Sequence, residues 1–83
     1  MKRTRSKQTK SATRKGFVKR LKMVRGNRSQ AQFARDLDVF QQNINRYESG
    51  TTPHTDFLIT LALKENVSVD WLLLGKGKMK RSR

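Results

Sequence analysis

The chain has no cysteine, one proline, one tryptophan, one tyrosine and one histidine, and only six acidic residues among its 83. Without cysteine there are no disulfides and no thiolate metal sites. The single histidine, His54, sits beside the single proline with no second ligand type clustered near it, so no metal, no cofactor and no catalytic residue is expected. No stretch approaches the ~20 apolar residues of a membrane span, and the N-terminus lacks the apolar core of a secretory signal. The expectation is a soluble cytoplasmic protein. Nothing in the sequence sets a nucleophile beside a base or forms a phosphate-cradling loop, so an enzyme is not expected.

Basic residues are what the chain has in excess: 20 Lys and Arg give a formal charge of +14. Their distribution divides the chain into three. Residues 1–28 hold twelve basic residues and no acidic one, and residues 76–83 hold five more basic residues. Between them, residues 29–75 hold three basic residues (Arg35, Arg46, Lys64) against all six acidic ones. A mildly acidic domain between basic segments implies a polyanionic partner, with nucleic acid ahead of an anionic membrane surface.

Residues 1–16 carry almost no apolar surface and read as a basic, disordered arm. From Phe17 the pattern changes: Phe17, Leu21 and Val24 recur at i, i+4, i+7, the spacing of an amphipathic helix stopped by "RGN". Ser29 and Gln32 fit the S-x-x-Q capping box at the start of a second helix, whose apolar face is Phe33, Ala34 and Leu37. A third helix is predicted on Phe40, Ile44 and Tyr47, ending at Gly50. A fourth places Leu58, Leu61 and Ala62 inward, with Phe57 and Ile59 beside them. Ser68 caps a short fifth helix that ends at Gly75. The expectation is an all-α, five-helix domain over 17–75, with 76–83 as a basic tail and no repeats.

Opposite the apolar back of the third helix, Gln42, Asn45, Arg46 and Ser49 fall at i, i+3, i+4, i+7, with Gln41 beside the first of them. Gln and Asn offer a donor and an acceptor on one fork, which suits adenine N6 and N7; Arg suits guanine O6 and N7. An ordinary solvated face would carry Glu–Lys pairs, and this one has no lysine. On these grounds Gln41, Gln42, Asn45 and Arg46 are the candidate base readers. Val69, Trp71, Leu72 and Leu74 are more apolar groups than one short helix can bury inward, and form a candidate dimer patch.

"SQAQFARDLDVFQQNINRYESG", followed by a proline and "VSVDWLLLG", resembles the helix-turn-helix domain of the Cro/repressor-type (XRE-like) family of bacterial and phage DNA-binding regulators, from about Phe17 to Gly75. The resemblance implies a lambda-repressor-like domain that binds double-stranded DNA as a homodimer. It also implies that the third helix enters the major groove and that half-sites lie roughly 34 Å apart. Gln41, Gln42 and Arg46 fall on the family's base-reading positions, and Gln30 on its phosphate contact. Asn43, Ser49 and Arg28 are further phosphate candidates. Arg25 and Glu48 match a pair that bridges the first and third helices, a structural role. The resemblance further implies a prokaryotic or phage-encoded repressor acting at the nucleoid. Three positions depart from the family. Asp38 stands where the turn usually has Gly, and Phe40 where the third helix usually has a Ser or Thr cap. Glu65 stands where an apolar residue is usual, so the end of helix four is either looser or charge-paired. Phe40 either packs beside Ile44 or touches a thymine methyl group. The alternative function is an antitoxin or another protein-interaction component of a regulatory complex.

Overall fold

In the computed structural model, which describes residues 15–81, five helices are present: α1 (15–25), α2 (Gln30–Leu37), α3 (Gln41–Glu48), α4 (Thr55–Glu65) and α5 (Val69–Leu74). The first already includes residues 15 and 16, which composition alone places in the arm. The rest of that arm lies outside the described residues.

Each boundary has a local cause. The Ser29 side chain accepts from the Gln32 backbone N–H at 3.0 Å and starts α2. The expected reciprocal half of the capping box is not formed. Gln32 instead donates to Asp36 at 2.7 Å and accepts from Arg35 at 2.9 Å, partners one helical turn on that outcompete the cap. Asp38 adopts the left-handed conformation (φ 61°, ψ 47°) without glycine. Its N–H reaches the Arg35 carbonyl and that of Val39 the Ala34 carbonyl, the paired arrangement that closes a helix and turns the chain sharply. Ser68 caps α5, and Gly75 closes it at φ 75°. The positive φ at Gly75 strains any side chain there, and a Cβ would also come within 3.0 Å of the Arg20 guanidinium, which would have to shift.

Helical spacing brings one residue set inward: Phe17, Leu21 and Val24 from α1; Phe33, Ala34 and Leu37 from α2; Ile44 and Tyr47 from α3; Leu61 from α4; and Leu72 from α5, with Val67 between the last two. Phe57, expected beside the inward face of α4, is itself buried and stacks its ring 4.6 Å from Tyr47, while Leu58 is half-buried. Leu72 is fully buried, which removes it from the dimer patch; the helix turns it toward the core while Val69 and Leu74 stay exposed.

Helix C-termini leave carbonyls without partners, and here cationic side chains supply them. Arg28 donates to the carbonyls of Val24 and Arg25 in α1. Arg20 donates to those of Leu72 and Leu73 in α5, and Lys80 to that of Glu65 in α4. The segment after α5 is therefore no free tail within the described residues. It returns along the α4–α5 connection, where Val67 and Lys80 form an antiparallel bridge. The Ser68 N–H donates to Met79, and the Arg81 N–H to Asn66. Backbone pairing of this kind is blind to the side-chain charge from which a tail was inferred.

Candidate nucleic-acid interface

The third helix is fastened from behind. Ile44 and Tyr47 lie in the core, and Glu48 is the buried charged residue among the described residues, at 7% exposure. Its carboxylate accepts from Arg25 Nε at 2.8 Å, from a second Arg25 nitrogen at 3.2 Å, and from Gln30 Nε2 at 2.9 Å. The remaining Arg25 nitrogen donates to the Arg28 carbonyl at 2.8 Å. One carboxylate thus joins α1, the first residue of α2 and the last residue of α3. A planar guanidinium gripping both oxygens resists rotation, so the pair fixes the angle of α3 on the domain.

The front of α3 is different. Gln41, Gln42, Asn45 and Arg46 are all exposed. Gln41, Gln42 and Arg46 make no side-chain hydrogen bond to any described residue, and Asn45 only a long 3.5 Å contact with the Ser49 hydroxyl. The four candidate base readers therefore stand on one open helix face with nearly all their donors and acceptors unused.

The candidate phosphate contacts are not equivalent. Gln30, half-buried, uses one amide hydrogen on Glu48 and keeps another. Asn43 turns aside and borders a shallow depression with Val39, Tyr47 and His54. The Ser49 hydroxyl donates to the Asn45 carbonyl at 2.8 Å, so a phosphate contact requires it to rotate away. Arg28 corrects the expectation made for it. Its five N–H groups point to the carbonyls of Val24 and Arg25, to Asp36 at 3.0 Å, and to both oxygens of Glu65 at 3.2 and 2.9 Å. It also stacks 4.7 Å over the Phe33 ring. The Glu65 hydrogen bond, with Asp36 adding to it against the opposing effect of burial, raises the Arg28 pKa above the ordinary arginine value. This arginine belongs to the scaffold, and it resolves the departure at Glu65: the end of α4 is charge-paired.

Phe40 likewise departs from its predicted place in the apolar face of α3. It occupies the N-cap with an extended backbone (φ −73°, ψ 138°), which takes it off the helical periodicity that would set it above Ile44. Its ring is 76% exposed, and its side chain makes no cap hydrogen bond. On α1, Lys15, Lys19 and Lys22 recur at i, i+4, i+7 and are all exposed without an ion-pair partner among the described residues. This row was legible in "KGFVKRLK" but was absorbed into the overall charge.

No group of His, Asp or Glu among the described residues is placed to hold a metal, and no described helix is long and apolar enough to cross a membrane. Two eight-residue helices joined by a three-residue turn, the second with a buried back and an open polar front, define a helix-turn-helix. Residues 16–80 match the family described as the bacteriophage CI repressor helix-turn-helix domain. The chain belongs to that family, and with it to the DNA-binding transcriptional regulators of Cro/CI type. No solved structure matches the chain.

Proposed function

We propose that the protein is a sequence-specific, double-stranded DNA-binding regulator of repressor type whose α3 enters the major groove as one half of a homodimer. The observation that carries this reading is the open row of Gln41, Gln42, Asn45 and Arg46, left nearly without partners among the described residues on a helix whose back is held by Glu48. Exposed amides and a guanidinium at helical spacing match the donor and acceptor pattern of base edges. Gln30 and Asn43, and Ser49 once its hydroxyl turns, would fix register on phosphates. The lysine row of α1, together with Lys76 and Lys78, supplies attraction without sequence preference. Val69, Trp71 and Leu74, exposed or half-exposed on α5, are the surface offered to a second copy.

Selection of bound duplexes from a random pool tests the reading, and two-fold symmetry in the selected site tests the dimer. On that site at fixed salt, Gln42→Ala is expected to weaken binding by roughly 5- to 150-fold, corresponding to the ~1–3 kcal/mol of one bidentate base contact. The loss should vanish on duplexes altered at the base pair that Gln42 reads. Equal loss on every duplex, scrambled ones included, removes Gln42 from base reading.

A further inference from the structure

We infer that Phe40 reads the 5-methyl group of a pyrimidine, thymine in unmodified DNA, from the leading end of α3. The inference rests on the proposed entry of α3 into the major groove and adds an apolar contact to its polar readers.

Two features of Phe40 run against the local physics of folding. The N-cap position favours Ser, Thr, Asp or Asn, whose side chain can accept from a first-turn N–H, and phenylalanine can do nothing of the kind. A phenyl ring placed with its helix's apolar face would ordinarily be buried, yet Phe40 is 76% exposed while Ile44 and Tyr47 of the same helix are at 0% and 4%. The position thus gives up both a cap and a burial. What it gains is location: the ring immediately precedes Gln41 and Gln42, on the end of the helix that approaches base edges first in a helix-turn-helix.

The major groove presents one apolar group, the thymine C5-methyl, on the same edge as the acceptor O4. An aromatic side chain next to two glutamine forks is therefore suited to a step where a methyl adjoins a hydrogen-bonding edge. The amides satisfy the polar atoms of neighbouring bases, and the ring covers the methyl that they cannot recognise. The chemistry also separates this contact from its polar neighbours, because removing a methyl group alters no hydrogen bond.

The experiment uses the full chain and the duplex obtained by selection, with each thymine replaced in turn by deoxyuridine, which removes only the methyl group. Wild-type protein should lose about fourfold in affinity at one thymine per half-site, equivalent to ~0.8 kcal/mol for one buried carbon group. Phe40→Ala should lose a similar factor on the thymine duplex and lose nothing further on the deoxyuridine duplex. Thermal unfolding of Phe40→Ala should match wild type, as the ring is exposed. Three results overturn the inference: deoxyuridine neutral at every position, Phe40→Ala binding like wild type, or Phe40→Ala still sensitive to the missing methyl. A discrete site that responds to Gln42→Ala but not to deoxyuridine overturns the role of Phe40 and leaves the base-reading proposal standing. Failure of the selection to return any discrete site overturns both.

Discussion

Helices α2 and α3 are both eight residues long and lie three residues apart, and both carry several polar side chains, yet they use those side chains in opposite ways. In α2, Gln30 bonds Glu48, Gln32 bonds both Asp36 and Arg35, and Asp36 also receives Arg28. Nearly every polar group on its surface is tied to the protein. In α3 the connections are confined to the back and to Glu48; on the front, the Asn45 side chain has only a long 3.5 Å contact with the Ser49 hydroxyl, and Gln41, Gln42 and Arg46 have none among the described residues. A side chain already satisfied by its own fold has little to offer a ligand. The contrast therefore distinguishes a helix whose polar groups serve the fold from one whose front stays open.

The most severe test of this contrast compares two faces of α3. Ile44→Ala removes a fully buried side chain and is expected to cost about 2–5 kcal/mol. Domains of this size have stability on the order of 5 kcal/mol, so the variant should be largely unfolded near physiological temperature. Gln42→Ala removes an exposed side chain that makes no hydrogen bond to any described residue, and should shift stability by no more than ~0.5 kcal/mol. Denaturant melts of both variants measure the difference. If the glutamine variant melted as early as the isoleucine variant, the front would be part of the scaffold and the distinction would fail.

A sharper test concerns the carboxylate that ties the two helices. Glu48→Gln keeps the shape but leaves Arg25 without its charged partner, and a charged hydrogen bond typically contributes ~1.5–3 kcal/mol. The expected result is a lower melting temperature together with weaker DNA binding, because α3 loses the grip that sets its angle. Unchanged binding in a destabilised Glu48→Gln would show that α2 and the core alone orient the reader.

The smallest effect lies at the surface of α2. The hydrogen bond from Gln32, followed by that from Arg28, lowers the Asp36 pKa below the ordinary aspartate value. A carboxylate whose folded pKa is depressed contributes stability above its unfolded value, about 3.9, and loses it as pH falls through the lower folded value. Asp36→Ala should therefore have a melting temperature slightly below wild type near neutrality, and the two curves should converge below about pH 4. Parallel curves across that range would mean that Asp36 does not stabilise the fold through its charge.

Much of this organisation was legible in the sequence because its causes are local. Ser29, Ser68 and Gly75 mark helix ends through hydrogen bonds and backbone angles made within a few residues. The inward residues recur at a spacing set by the helix itself. What escaped depended on partners distant in sequence or on geometry at an element's edge. Arg28 read as a free cation because Glu65 lies 37 residues away. Phe40 stayed open between packing beside Ile44 and facing outward, because the periodicity reaches one residue past the point where the helix begins. The segment after Gly75 read as a tail because its attachment runs through backbone groups. On α5, two of the four apolar residues offered as a patch were truly outward, Leu72 was not, and Trp71 lies between these extremes.

The fastening of α3 by Glu48, Arg25 and Gln30 bears on how such a protein can change over generations. Because positions 41, 42, 45 and 46 contribute little to holding the domain together, the proposed readers could be exchanged, and the preferred operator with them, without first spoiling the fold. A lineage could drift to a new target through folded intermediates, its chassis untouched while its lettering is rewritten.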